Sequence, residues 1–450
     1  MARVILLEEH ASVLPHWVAR QQRDATLVCL DAHLDLQFIA PQRIGRLRAC
    51  ASAQEFAALE SAHPLSPLRD ACYGTEDFLY AAAQLGVLSR LVWVAPPHVL
   101  GGIEASLRAL RQTEGVTPED LASFRRMPGG WIEGQLLGVP LAVGEWQHLV
   151  AMRLQAPVLL DIDTSYFVEV PEKRVWAHPR TVLAALRQWL GDDFELTVAR
   201  SVGTGGVPLR HRFLADLLAT LWEGRKEDAR HWQQLLDLEQ TRLPEAARLA
   251  RLRALVAQRP RCAASCYALA LACDAPQERA DLLAQAAALD GHYGDDVLRR
   301  AGSVRARRQD IAFDDVLRLH REIVAMPATQ DRQGSAWVAL GLLYAAYGCL
   351  HEAVDCDEQS LRHGTGHPEL ALQIAGLLVA AGDPESAVPW LERAAIEDET
   401  RVAAWHQLSL CAEQRGAAAE ALAWARRAHQ AAPAWREVQQ RVASLQAGKA

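Results

Sequence analysis

Leu27-Val28-Cys29-Leu30-Asp31-Ala32-His33-Leu34-Asp35 is an apolar run that ends in Asp-x-His-x-Asp. Side chains alternate along a β-strand, so Asp31, His33 and Asp35 point the same way if the segment is extended. Two carboxylates and an imidazole just past a strand's end build a poor core and a good divalent-metal site. Oxygen and imidazole donors together suit Mn, Zn or Fe better than Ca or Mg. The structural alternative is a surface acid or a strand-end cap.

Two further stretches have the same design. Val4-Ile5-Leu6-Leu7 runs into Glu8-Glu9-His10, and Pro157-Val158-Leu159-Leu160 runs into Asp161-Ile162-Asp163. Three apolar strands thus each deliver metal-binding residue types at their C-terminal ends, the edge where open parallel α/β sheets collect ligands. The set is His10, Asp31, His33, Asp35, Asp161 and Asp163. It exceeds what one Zn needs and suits two divalent ions bridged by carboxylates and a hydroxide. The competing account is a coincidence of strand-end acids.

Asp31-Ala32-His33-Leu34-Asp35, followed much later by Asp161-Ile162-Asp163-Thr164-Ser165, resembles the arginase/ureohydrolase superfamily, whose pattern is D-A-H-x-D and then D-x-D. His10 falls where that family supplies its first metal histidine. Glu8-Glu9-His10, Glu76-Asp77-Phe78-Leu79-Tyr80, Leu91-Val92-Trp93-Val94 and Leu196-Thr197-Val198-Ala199-Arg200-Ser201 resemble the small arginase-like domains that include peptide arginases. Those enzymes hydrolyse arginine side chains inside ribosomally made peptides (RiPP precursors) to ornithine and urea. The resemblance covers roughly the first half of the chain. It implies a manganese hydrolase with two Mn2+ ions, other divalent metals being possible, and an arginine-containing precursor peptide as partner. It also implies that Asp35 is both a ligand and the first proton acceptor.

The chain departs from the free-arginine enzymes at one place. Those carry a guanidinium-gripping glutamate on a strand after D-x-D, whereas Glu195-Leu196-Thr197-Val198-Ala199-Arg200-Ser201 has no acid at its outgoing end. Glu9, Glu76 and Asp77 are the candidates for that role. The loops that bind a free amino acid are also unrecognisable, which favours a larger substrate. Pro96-Pro97-His98, with Gly101-Gly102, marks a loop at the end of a strand over Leu91–Ala95. His98 is there a candidate proton shuttle for the leaving amine, or a solvated loop histidine.

The 450 residues allow two or three domains; half are apolar and 23% charged, within the globular range. A net charge of −8 argues against a nucleic-acid binder. Met1-Ala2-Arg3-Val4-Ile5 does not read as a signal peptide, and no run approaches a membrane span. The expected location is cytoplasmic, with no nucleic-acid or membrane partner. Nine cysteines are scattered without C-x-x-C; Cys262 and Cys266, four apart, read as thiols of the core or surface rather than zinc ligands or disulfides.

Along the first half, helices are expected over Ser52–Ser61, Glu76–Leu85 with Gly86 as its stop, Pro179–Leu190 with Gly191 as its stop, and Arg210–Trp222. An extended pair is expected within 135–144 and a strand over Glu195–Arg200, which leads into Ser201-Val202-Gly203-Thr204-Gly205-Gly206. From Arg225 strand signals vanish. A period of 34 residues then relates Trp337, Ala371 and Trp405, and Leu340, Ile374 and Leu408. Ala353, Ala387 and Ala421 keep it, as do Ala394 and Ala428, and Pro433 closes the last unit. Trp337, Leu340, Gly341 and Tyr344 resemble the tetratricopeptide signature. Ala263–Ala288 and Phe313–Met326 read as degenerate earlier units.

The expected fold is an α/β arginase-like parallel sheet with flanking helices, followed by an all-α TPR-like solenoid. Residues 1–224 form the catalytic domain, 225–258 a connecting helical segment and 259–450 the repeats. Concave solenoid faces dock peptides, so the repeats are assigned recruitment of the substrate, the alternative being a dimerisation or packing role. Two other functions stand beside the hydrolase: a non-catalytic TPR scaffold with a relic metal fold, and a deacetylase-like amide hydrolase using one Zn.

Overall fold

The computed structural model describes residues 3–61, 71–99, 115–150, 152–169, 174–191, 194–203, 207–294, 313–325, 330–363, 368–396 and 400–447. Gly101-Gly102 and Thr204–Gly206 of the expected loops lie outside the described residues. The strands in chain order are β1 (Val4–Leu7), β2 (Ala25–Leu30), β3 (Leu88–Val94), β4 (Arg125–Arg126), β5 (Ile132–Leu136), β6 (Val139–Gly144), β7 (Val158–Asp163), β8 (Val168–Glu169), β9 (Arg174–Val175) and β10 (Leu196–Ala199). The chain forms two compact units: Met1–His10 with Leu159–Ser303, and Ala11–Val158 with Val304–Ala450.

In the first unit β1, β10 and β7 run parallel in that order. Leu160, Ile162, Leu196 and Val198 are buried in them, together with Leu214, Leu217 and Leu218 of the helix Leu214–Trp222. Burying each such side chain contributes about 1.5–3 kcal/mol. The helix Pro179–Leu190 starts with its proline at the first position and stops at Gly191, whose φ of +94° lies in the left-handed region. The expected helix from Arg210 begins later. Leu209–His211 forms one 3-10 turn after Pro208, and the α-helix starts at Leu214, beyond the buried Arg212. Ala263–Ala272 and Pro276–Leu289 follow as a helical pair.

In the second unit β2, β3 and β6 are parallel, and β6, β5 and β4 continue as an antiparallel meander. Every residue of β2 is buried, as a parallel strand covered on both faces requires. The helices expected near 52–61 and 76–85 are Ala53–Ala57, capped by Ser52, and Phe78–Gln84. The extended pair expected within 135–144 is the β5–β6 hairpin.

The repeats of this unit are helical hairpins: Gln330–Ala346 with Leu350–Arg362, Pro368–Ala380 with Pro384–Ala394, and Arg401–Gln414 with Ala418–Ala431. The first helix of each ends identically. Gly348, Gly382 and Gly416 have φ of +76°, +86° and +77°. The next amide reaches back five residues each time: Cys349 to Tyr344, Asp383 to Leu378, Ala417 to Ala412, at 2.8–3.0 Å. That is a Schellman motif recurring every 34 residues, and a Cβ at each glycine would be strained. Ala353, Ala387, Ala421, Ala394 and Ala428 are all fully buried between helices. The described residues thus divide into a mostly parallel α/β part and an all-helical, tetratricopeptide-like part. No helix among them is long and apolar enough to cross a membrane.

One repeat position breaks the apolar pattern. Asp357 is fully buried, at the place held by Leu391 and Ala425 one and two repeats later. Gln373 Nε2 donates to its Oδ2 at 2.8 Å, while its Oδ1 has no hydrogen-bond partner. Burial pushes its pKa up to about 8, against an ordinary 3.8. The folded state therefore holds the proton more tightly than the unfolded one. The stability it contributes is full below about pH 4 and is lost as pH rises towards about 8. Asp357→Asn should remove this loss, melting a few degrees above the wild type at pH 8 and near it at pH 4. The gain expected from relieving a buried unsatisfied carboxyl is about 1–3 kcal/mol. Parallel pH-dependent melting curves by circular dichroism check it.

Candidate metal centre

In the first unit the parallel register sets Thr197 beside Asp161 and Ala199 beside Asp163. Asp161 and Asp163 alternate with Ile162 and so share a face of β7. β1 ends at Leu7, and His10 opens a one-turn 3-10 helix three residues later. His10 Nε2 lies 2.6 Å from Asp161 Oδ2, and its Nδ1 is 3.5 Å from Asp163 Oδ2. Residue exposures of 0% for His10, 0% for Asp161 and 3% for Asp163 put the group inside the protein.

The carboxylates are held from the far side as well. The Thr197 hydroxyl donates to Asp161 Oδ1. Asp163 Oδ1 accepts from the Ser165 amide at 2.6 Å, and Asp163 Oδ2 accepts from the Ser201 hydroxyl. Ser201 sits at φ +46°, and its amide donates to the Glu8 carbonyl at 3.0 Å. Sequence reading missed Thr197 and Ser201. Their signal was present: two hydroxyls in and just beyond an otherwise apolar strand, with Thr197 in register with an acid.

The donor chemistry of this group fits a divalent ion. Even a protonated His10 offsets only one of the two carboxylate charges, and buried charge is costly without compensation. One imidazole with two carboxylates matches Mn, Zn or Fe. Hydroxyls and amides that orient ligand carboxylates are the usual outer support of such sites.

The second unit holds Asp31, His33 and Asp35. The chain leaves β2 at Leu30, so the alternation of an extended strand does not continue through all three. Asp31 is buried; its Oδ1 accepts the His33 amide at 2.9 Å, and its carbonyl accepts Trp93 Nε1 at 2.9 Å. The His33 side chain is 64% exposed, with Nδ1 3.5 Å from Asp31 Oδ1. Asp35 is buried at φ +47°, and its carbonyl accepts the Leu79 amide.

His98 is exposed in a turn beyond β3. Glu9 Oε1 accepts the Gly203 amide at 3.1 Å. Glu76 is exposed and accepts from Gln37 Nε2 at 3.2 Å. Asp77 is buried and accepts the Gly74 amide at 2.7 Å; burial pushes its pKa up to about 7. All three candidate substrate acids thus make hydrogen bonds within the protein. None of the nine cysteines forms a disulfide.

No family model matches the chain, and no curated protein matches it. Solved structures similar to part of it include the following three. A structure from the functional characterisation of pilF of Pseudomonas aeruginosa is 19% identical over 48% of this chain and 99% of its own, with a TM-score of 0.28. PilW, a widely conserved type IV pilus biogenesis factor, is 13% identical over 43% and 90%, with a TM-score of 0.30. TTC0263, a thermophilic TPR protein in Thermus thermophilus, is 20% identical over 45% and 90%, with a TM-score of 0.21. Likenesses this weak carry no argument, and the repeat architecture rests on the chain's own helices and turns.

Thr197→Val keeps the side-chain volume and removes the hydroxyl from the buried Asp161. It should destabilise the protein by about 1–3 kcal/mol, the usual cost of stranding a buried acceptor. Thr197→Ser should recover most of it. Urea unfolding of the three proteins at neutral pH measures both.

Proposed function

We propose that the chain is a metal-dependent hydrolase of guanidino groups, converting peptidyl arginine to ornithine and urea, with the repeats recruiting the precursor peptide. The observation that carries this reading is the buried His10 imidazole set against Asp161 and Asp163 at the C-terminal ends of parallel strands. That edge is where α/β sheets bind ligands, and the donor set suits manganese. His10, Asp161 and Asp163 would hold metal, and the resemblance adds Asp31, His33 and Asp35 as ligands. Divalent ions at such donors supply a nucleophilic water at neutral pH and polarise the guanidino carbon.

The chain's own groups do the rest. Thr197 and Ser201 fix the carboxylates so that their orientation costs nothing during reaction. Asp35 is the proton acceptor that the resemblance implies. When the bond from the guanidino carbon to Nδ of the ornithine product breaks, the departing amine needs a proton. His98 is the proposed carrier. Tetratricopeptide-like hairpins stack into surfaces that bind extended chains, which supports a peptide rather than free arginine as substrate.

Metal analysis of the purified protein after loading with Mn should find two ions per chain; one or fewer rejects the two-metal reading. Asp161→Ala and Asp35→Ala should abolish release of urea from an arginine-bearing peptide while the helical circular dichroism signal persists. Turnover retained in either variant at unchanged metal content contradicts the assignment.

Binding contributed outside the reacting side chain should also appear in the kinetics. An arginine-bearing precursor peptide should have a kcat/KM at least about a hundredfold above that of free arginine, equivalent to about 2.7 kcal/mol of remote binding. Equal values for the two substrates identify an ordinary small-molecule ureohydrolase instead. Urea release against substrate concentration decides between them.

A further inference from the structure

The first unit contains a pocket of ≈ 600 Å³ away from the His10 group. Its size is that of a small-molecule site. Four guanidinium groups line it, from Arg200, Arg212, Arg259 and Arg261, against two carboxylates, Asp216 and Asp290. Glu8 and Asp228 stand behind the wall and pair with Arg212 and Arg259, so Arg261 is the lining guanidinium with no carboxylate partner among the described residues.

Two of the arginines are fixed in place. Arg200 grips Asp216 with both terminal nitrogens, at 2.7 and 3.0 Å. Arg212, 5% exposed at the side chain, grips Glu8 with both terminal nitrogens and reaches Asp290 through Nε at 3.2 Å. The other two are less buried. Arg259 meets Asp228 at 2.8 Å and is 37% exposed, and Arg261 is exposed with no ion pair among the described residues.

The amino end of the helix Ala263–Ala272 forms part of the same wall. Its N-cap, Cys262, makes no side-chain cap, and its first turn carries no acid. The amides of Ala263 and Ala264, both lining the pocket, donate to no described residue. Such an end attracts anions through unpaired amides and the helix dipole.

A second, independent feature points to a ligand. Tyr293 is 5% exposed and lines the pocket, yet its hydroxyl has no hydrogen-bond partner among the described residues. The charges that act on its phenol are those of Asp216, Arg212, Arg200 and Asp290, all on the pocket wall. The hydroxyl itself stays accessible, so it can donate to an acceptor in the pocket. Trp232 contributes a half-buried indole to the same wall.

We propose that this pocket binds a small phosphate monoester carrying a planar ring, such as a mononucleotide. The phosphate meets Arg259, Arg261, the Tyr293 hydroxyl and the amino end of Ala263–Ala272, and the ring lies against Trp232. Guanidinium forks and helix amino ends both suit phosphate oxygens. This proposal does not rest on the proposed hydrolase.

Isothermal titration of the full chain with adenosine monophosphate, adenosine and inorganic phosphate tests the proposal, with EDTA present so that no divalent ion contributes. Adenosine monophosphate should bind at least about tenfold more tightly than adenosine, the phosphate supplying the charge-assisted bonds. Arg261→Ala should weaken it about tenfold, Arg261→Lys less so, and Tyr293→Phe severalfold, each with an unchanged circular dichroism spectrum. The proposal is overturned if the nucleotide binds no better than adenosine, if Arg261→Ala and Tyr293→Phe bind as the wild type does, or if neither phosphate compound binds by about 1 mM. Nucleotide binding that vanishes on adding EDTA would also overturn it, since the phosphate would then be held by a metal.

Discussion

The burial of one imidazole against two carboxylates is the constraint that the first unit is arranged to satisfy. Two buried carboxyl groups without hydrogen-bond partners are costly, and the surrounding residues supply those partners. Parallel pairing of β10 with β7 places a threonine beside Asp161. The left-handed backbone at Ser201 brings a hydroxyl to Asp163 just past the strand. The turn after Asp163 folds the Ser165 amide back onto the same carboxylate. None of these devices improves a hydrophobic core. All of them orient carboxylate oxygens, as outer hydroxyls and amides do around ligand carboxylates.

The exit of β1 couples that site to the arginine pocket. Glu8, Glu9 and His10 are consecutive, and each engages a different group within the same unit. Glu8 takes the Arg212 guanidinium, with Arg200 Nε at 3.4 Å and His292 Nε2 at 3.6 Å. Burial raises the pKa of Glu8, but the hydrogen bond and charge of Arg212, with Arg200 and His292, outweigh it and hold the carboxyl below its ordinary value. Glu9 takes the Gly203 amide, so closely that a Cβ on Gly203 would sit 2.3 Å from its oxygen. His10 takes Asp161. A displacement of this short segment therefore disturbs both sites at once.

Much of this was legible in the sequence because period and punctuation carry strong physical signals. The apolar runs of β1, β2 and β7 stood out by length and composition, and Pro179 and Gly191 bounded their helix as the capping rules require. The 34-residue spacing of buried alanines followed from helix packing. What escaped were facts that depend on contacts distant in the chain. The partnership of Thr197 with Asp161 needs the β10–β7 register, 36 residues apart. Alternation gave no warning that the chain would quit β2 at Leu30, leaving His33 exposed while Asp31 and Asp35 are buried. The arginine pocket joins a strand end, a 3-10 turn and four helices that share no motif.

The repeat region shows how one local exception can depend on another. At Gly341 an added Cβ would lie 2.6 Å from Asp357 Oδ1 and 3.2 Å from the Ala353 carbonyl. Ala375 and Ser409 hold that position in the next two repeats, opposite Leu391 and Ala425. The glycine therefore makes room for the acid, and the acid fills what would be a void beneath the glycine. Gln373 comes from the helix Pro368–Ala380 of the following hairpin, so the carboxyl bonds across a repeat boundary. An apolar residue would pack there at less cost to stability, but it would not distinguish one neighbouring hairpin from another. In a stack whose units share a period and a set of buried alanines, polar pairs that differ between boundaries, Asp357 with Gln373 and Ser409 with Arg441, oppose slippage by one repeat. That role is of the kind best attested for buried polar residues in repetitive helical assemblies.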